Sequence, residues 1–120
     1  MKDPILAIFM RTDLNMSRGK IAVQAGHAVS MSIIQPFSGN VWSHVEEWLE
    51  NQQIKIVLAV NSLEDLEKIV EIAKKNKILC RRIYDAGKTE VGPGTVTCVA
   101  VGIESRRRIN KITKGWKALK

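Results

Sequence analysis

Apolar residues in this chain fall into short runs with two different rhythms. Pro4 to Arg11 (Pro-Ile-Leu-Ala-Ile-Phe-Met-Arg) is almost continuously apolar, and Ile54 to Val60 and Thr95 to Gly102 are β-branched and aliphatic. The first run predicts a strand buried on both faces, the second a central strand, and the third the fourth strand of the chain. Leu79 to Tyr84 predicts a shorter strand. Elsewhere apolar residues recur at steps of three and four, the helical repeat. The first such stretch starts after a turn at Thr12 to Met16, is capped by Ser17, and runs to about Gln35, where Pro36 stops it. Ala22, Ala25, Gly26, Ala28 and Val29 would give it a small side able to lie close on a sheet. A turn at Ser38-Gly39-Asn40 leads to a helix over Val41 to Asn51, with Val41, Val45, Trp48 and Leu49 on one face. At this spacing Trp42 and Trp48 are expected to pack. Ser62 and Asp65 form a cap-like pair ahead of a helix over Leu63 to Asn76 that buries Leu66, Ile69, Val70 and Ala73. A last helix is expected from Glu104 to the C-terminus, with Ile109, Ile112, Trp116 and Leu119 inward and a basic stripe of Arg107, Lys111 and Lys114 on another side.

The order is β-α-α-β-α-β-β-α. Strand–helix–strand passages favour parallel pairing. The expected fold is therefore α/β: one domain over residues 1–120 with a mixed, mostly parallel four-stranded sheet flanked by helices. The last two strands have no helix between them, which leaves room for one antiparallel strand. The 120 residues are enough to bury a core, and 45% hydrophobic with 26% charged residues is ordinary for a globular domain. No apolar run approaches the roughly 18 residues of a membrane span. The Met1-Lys-Asp-Pro start has no secretory pattern, so a cytoplasmic, membrane-free protein is expected. Cys80 and Cys98 fall in expected strands and read as buried free thiols. No Cys/His spacing suggests zinc, and neither a metal nor a cofactor is expected.

Two local features break the regular pattern. One is the loop Asp85-Ala-Gly-Lys-Thr-Glu-Val-Gly-Pro-Gly-Thr95, eleven polar and glycine-rich residues between two strands. Aperiodic connections this long are usually functional or disordered, and the Pro93-Gly94 turn argues for order. Gly87-Lys88-Thr89 suggests a nucleotide-binding loop but fails on spacing. Arg82 stands where a P-loop needs glycine, and Gly92-Pro93-Gly94 forbids the helix that must follow. Asp85, at a strand end, is either a general base, worth about 10²–10⁴-fold, or a turn-forming side chain. Thr89 and Thr95 could position water or donate to a developing oxyanion. The second feature is the start of the first helix. Arg18 and Lys20 sit where the helix dipole favours anions, each at a cost of about 0.3–1 kcal/mol, and Gly19 adds about 1 kcal/mol. Either the two cations converge on a bound anion, or they point into water.

Charge narrows the partner. Residues 1–60 carry five Lys/Arg against five Asp/Glu, whereas residues 61–120 carry fourteen against seven. The last fifteen residues hold seven basic side chains and no acid. So concentrated an excess suits a polyanion, nucleic acid first, or a solvated helix without a partner. The residues alone thus reach hydrolysis on a substrate linked to nucleic acid.

Arg11-Thr-Asp-Leu, Met16-Ser-Arg-Gly-Lys-Ile-Ala-Val-Gln-Ala-Gly-His-Ala28, Lys55-Ile-Val-Leu and Ile83-Tyr-Asp-Ala-Gly-Lys-Thr-Glu-Val-Gly-Pro-Gly-Thr-Val-Thr97 together take the argument further. In this order, across nearly the whole chain, they resemble the type-two peptidyl-tRNA hydrolases of archaea and eukaryotes. The resemblance implies cleavage, without a metal, of the ester between a peptide and the terminal ribose of tRNA, usually by a homodimer. It implies catalytic roles for Lys20, Asp85 and Thr89. It makes Gln24, His27, Thr95 and Thr97 candidates for lining the site; the charge pattern adds Arg18, Lys88, Arg107, Lys111 and Lys114 as expected substrate contacts. Two positions depart from the family pattern: Gly26, where a serine-like residue is frequent, and Lys88, where arginine is common. His27 is either a site residue or a packed helix residue. The competing function is a tRNA- or RNA-binding module without catalysis.

Overall fold

β1 (Pro4–Arg11) is the centre of the molecule, and its residues Ile5 to Met10 are all buried. This computed structural model describes residues 3–34, 40–87, 92 and 94–120. Among them the chain continues through α1 (Arg18–Ile34), α2 (Asn40–Glu50), β2 (Lys55–Val60), α3 (Leu63–Lys75), β3 (Cys80–Tyr84), β4 (Val96–Ser105) and α4 (Arg106–Thr113). That is the order the apolar pattern predicts. The expected stop at Pro36, the turn at Ser38-Gly39, the side chain of Val41, and the loop residues Lys88, Thr89 and Pro93 lie outside the described residues.

Strand side chains alternate between faces, and β1 serves two cores in this way. Ile5, Ala7 and Phe9 join Val99 and Val101 of β4, Leu66, Ile69, Val70 and Ala73 of α3, and Ile109 and Ile112 of α4. Leu6, Ile8 and Met10 face the other way, with Cys98 and Ala100 of β4, Ala28 of α1, and Val45 and Trp48 of α2. The helices therefore lie on both faces, α1 with α2 and α3 with α4. Trp48 is fully buried, and its indole N–H donates to the Ile54 carbonyl at 2.8 Å. Trp42 packs on the same core and donates to Glu46 at 2.7 Å.

The sheet order is β2-β1-β4-β3, so β2, expected to be a central strand, is instead the end strand on its side, with β1 taking the central place. β1 and β2 are parallel, with Ile8 opposite Val57. β4 is antiparallel to β1, with Ile8 opposite Ala100, and to β3, with Arg82 opposite Val99. The sheet is mixed, as expected, but not mostly parallel in its pairing. β1, β2 and β3 do run the same way. The single opposed strand, β4, sits between β1 and β3, so it makes two of the three pairings antiparallel.

Two helix expectations are corrected. Ala22 and Gly26 do not face the sheet: they are exposed, and the buried positions of α1 are Gln24, Ala28 and Ser32. The final helix does not reach the C-terminus. It ends at Thr113; Gly115 turns the chain with φ +89, and residues 117–119 run antiparallel along the outer edge of β2. Ala59 N–H donates to the Lys117 carbonyl at 2.8 Å, and Leu119 N–H to the Val57 carbonyl at 2.9 Å. Trp116 packs on the α3/α4 core, edge-on to Phe9, while Leu119 packs on the α1/α2 core. A tail along a sheet edge can reach both faces, which a helix on one face cannot. This tail also covers one edge of the sheet, leaving β3 as the edge with a single strand neighbour.

Candidate active site

The C-terminal ends of β1, β2 and β3 lie at one end of the sheet, where open α/β folds place their ligands. β1 leaves there and turns into α1. Ser17 caps that helix, its hydroxyl accepting the Lys20 N–H at 3.1 Å. β3 also ends there and hands over to Asp85. The backbone of Asp85 is held on both sides: its N–H donates to the Thr95 carbonyl at 2.8 Å, and its carbonyl accepts the Gly94 N–H at 3.0 Å. These bonds close the glycine-rich loop at its base and aim the carboxylate at α1. Arg11 at the end of β1 ties the same region together. Its guanidinium donates to the Val96 carbonyl at 3.1 Å and pairs with Asp13, whose carboxyl it holds below the ordinary value.

Lys20, Gln24 and His27 are spaced at i, i+4 and i+7, so they share one stripe of α1. Lys20 Nζ is bound to Oδ1 of Asp85, 65 positions away in the chain. Both side chains are nearly closed to solvent, 9% and 2% exposed. Gln24 Nε2 donates to the same oxygen at 3.2 Å, and Gly87 N–H donates to Oδ2. Behind Gln24, the Thr97 hydroxyl donates to Oε1 at 2.5 Å. The Lys20 hydrogen bond is the main cause holding the Asp85 carboxyl below its ordinary 3.8; burial opposes it, and the Gly87 N–H and the charges of Lys20 and His27 assist. Asp85 is thus a buried, ionised carboxylate; among the described residues one oxygen is doubly engaged and the other is bound only by the loop backbone.

The same contact explains one of the two misplaced cations of α1, Lys20, while Arg18 points into water. Its first turn contains no acidic residue. The anion that turn lacks is supplied by the protein itself, as Asp85 arriving from β3. Lys20 points neither into water nor at an external ion.

The other expected site residues divide clearly. Gln24, Thr97, Lys20 and Asp85 form one connected group. His27 is exposed rather than packed, and lies close enough for its charge to act on Asp85. Thr95 spends its hydroxyl proton on the Gly92 carbonyl at 2.7 Å and serves Asp85 through its backbone. Arg18 is exposed at the start of α1. Arg107, Lys111 and Lys114 are also exposed, but α4 packs on the opposite face of the sheet from α1, so they are not brought against Asp85. Thr89 and Lys88 lie outside the described residues. Sequence reasoning missed Arg11 and Asp13; the available signal was a charge ending an otherwise apolar strand. Cys98 is buried beside the group, and burial pushes its thiol up to about 12, which removes it as a nucleophile. Cys80 is half-buried, short of the expected full burial. Among the described residues no three His, Cys, Asp or Glu side chains are grouped as metal ligands would be, and no helix is long and apolar enough to cross a membrane.

A model of the family described as peptidyl-tRNA hydrolase PTH2 matches residues 5–119. A peptidyl-tRNA hydrolase of Metallosphaera sedula is 40% identical over 115 residues, covering 95% of this chain and 98% of that protein. One of Methanocaldococcus jannaschii is 39% identical over 114 residues, with 95% and 98% covered. One of Thermoplasma acidophilum is 36% identical over 114 residues, with 95% and 97% covered. The chain belongs to the PTH2 family of peptidyl-tRNA hydrolases.

Proposed function

We propose that this chain hydrolyses the ester joining a peptide to the 3′-terminal ribose of tRNA, with Asp85 as the base and Lys20 as the group that receives negative charge. The observation that carries this is the connected Lys20–Asp85–Gln24–Thr97 group in a chain of this family. Asp85 Oδ2 accepts, among the described residues, only the Gly87 N–H, and a lone pair of this oxygen takes the attacking water. The water proton passes to Oδ2 as the oxygen bonds to the ester carbon. Negative charge then develops on the carbonyl oxygen, and Lys20, whose ammonium has three N–H donors, holds it. Collapse breaks the bond to the ribose 3′ oxygen, which takes the proton back from Asp85. The products are a free peptide acid and a tRNA 3′ hydroxyl.

A carboxyl held low is a weak base, and Lys20 supplies the remedy. As the oxyanion forms, it competes with Asp85 for the Lys20 ammonium. Asp85 then loses its main stabilising partner at the moment it must accept a proton. In this scheme Thr89, to which the family resemblance gives a catalytic role, orients Asp85, and Gln24 fixes Oδ1. Arg18, Lys88 and the basic α4 residues Arg107, Lys111 and Lys114 contact tRNA. The tail after α4 returns to the site end of the sheet, where Lys117 lies opposite Ala59, so a polyanion wrapped around that end would meet both layers. The net charge of +7 supports tRNA binding. We further propose a cytoplasmic homodimer acting in translation, in keeping with the family.

The test is to incubate the protein with N-acetyl-aminoacyl-tRNA and with unblocked aminoacyl-tRNA, each with and without chelator. Selective release from the blocked substrate, unchanged by chelator, is the expected result. Binding without release from either substrate would leave a tRNA-binding module instead.

A further inference from the structure

We propose that the cleft between α1 and the free edge of β3 binds the nucleoside at the 3′ end of the tRNA, with the terminal base stacked on Tyr84 and the adjoining phosphate held by Arg81. This rests on tRNA being the substrate, and it assigns a part of the molecule that the catalytic group does not use.

The cleft has a volume of about 590 Å³ and is lined by His27, Ser30 and Met31 of α1 and by Arg81, Ile83 and Tyr84 of β3. That falls within the roughly 300–1,000 Å³ of small-ligand sites. The three α1 residues are spaced i, i+3, i+4 and so form one wall. β3 forms the other, and it is an edge strand with no neighbour on its outer side among the described residues.

The chemistry of the walls is one-sided. Among the described residues no carboxylate lines the cleft. Its two arginines are differently placed: Arg82 is paired with Glu67 at 2.5 Å, whereas Arg81 enters no ion pair among the described residues. Tyr84 is 58% exposed at the rim, although it belongs to a strand. An exposed aromatic ring and an arginine that enters no ion pair among the described residues line one cleft, and single-stranded nucleic acid is held by these two kinds of group: bases stack on the ring and the phosphate meets the cation.

Position supports the same occupant. The ester to be cleaved is on the 3′-terminal ribose, so the terminal base lies one sugar away from the reacting carbonyl. Tyr84 is the residue immediately before Asp85, and His27 acts electrostatically on Asp85 while lining the cleft. A second copy of the chain fits less well. Antiparallel self-pairing centred on this five-residue edge would set Arg82 directly opposite its own copy.

The experiment is a binding cycle on the full chain. Deacylated tRNA and the same tRNA lacking its terminal adenosine are titrated against wild type, Tyr84→Ala and Tyr84→Phe. Wild type should bind the truncated tRNA roughly 5–150-fold more weakly. Tyr84→Ala should show a similar loss for intact tRNA and no further loss for truncated tRNA; Tyr84→Phe should bind as wild type. With N-acetyl-aminoacyl-tRNA, Tyr84→Ala and Arg81→Gln should raise KM while leaving kcat within about twofold. Losses that multiply, or Tyr84→Ala binding intact tRNA as wild type does, would overturn the proposal. So would sedimentation showing that Tyr84→Ala splits a dimer while tRNA affinity is unchanged, since the cleft would then belong to a second copy. The binding cycle reads the cleft even if the wild type cleaves nothing, so it fails separately from the hydrolase assignment.

Discussion

The Thr97 hydroxyl donates to Oε1 of Gln24 at 2.5 Å, and this bond holds the Gln24 amide with its NH₂ toward Asp85. An ionised carboxylate can only accept. Gln24 must therefore present its NH₂ to Asp85, and its oxygen must find a donor on the far side. Thr97 is that donor, fully buried on β4. Removing it should act on Asp85 through Gln24. Thr97→Val is expected to lower kcat with KM little changed, and Gln24→Leu to do so more strongly because it takes away a direct bond to Oδ1. Thr97→Ser should restore the rate. If Thr97→Val and Thr97→Ser are equally slow, the hydroxyl matters for packing and not for orienting Gln24.

Acid should act on Asp85 late. The folded carboxyl is held below its ordinary 3.8, chiefly by Lys20. A depressed folded value contributes stability that is fully present above the unfolded value and is lost as pH falls through the folded one. The difference in Tm between wild type and Asp85→Asn should be constant through neutral pH and shrink only below about 3.8. By the same token, kcat should show no carboxylate limb above about pH 5. An inflection between about pH 5 and 7 that persists in His27→Gln would place the Asp85 carboxyl higher than this geometry allows.

The basic face of α4 can be read by salt. Each neutralised phosphate contributes roughly 0.7–0.9 to the slope of log affinity against log salt. Arg107→Gln, Lys111→Gln and Lys114→Gln should each flatten the slope by up to that amount and leave the rate at saturating substrate unchanged. An unaltered slope in the triple variant would take α4 off the tRNA path and leave Arg18 and Arg81, on the other side of the sheet, as the cations to test next.

The strands were legible where one rhythm dominated. β1 could be delimited to the residue because seven apolar residues in a row needed cover and Arg11 ended the run, and α1 and α3 announced themselves through Ser17 and Ser62, whose hydroxyls accept N–H groups at 3.1 and 3.0 Å. Strand pairing was not legible, because spacing says nothing of which strand β4 lies beside. The tail misled for a different reason. Trp116 and Leu119 keep helical spacing after Ile109 and Ile112, yet they belong to opposite cores once Gly115 turns the chain. At the site, composition marked Asp85 and the odd first turn of α1 separately. Only the packing of α1 on β3 and β4 joins them, and the roles of Gln24 and Thr97 came from the family resemblance.

The central claim is that Asp85 takes the proton of the attacking water. The most direct measurement is single-turnover cleavage of N-acetyl-aminoacyl-tRNA by Asp85→Asn, with tRNA affinity measured in parallel. The substitution keeps an oxygen for Lys20 and removes the basic charge. Cleavage should fall by about 10²–10⁴-fold with tRNA affinity preserved. Cleavage at the wild-type rate would contradict Asp85 as the base.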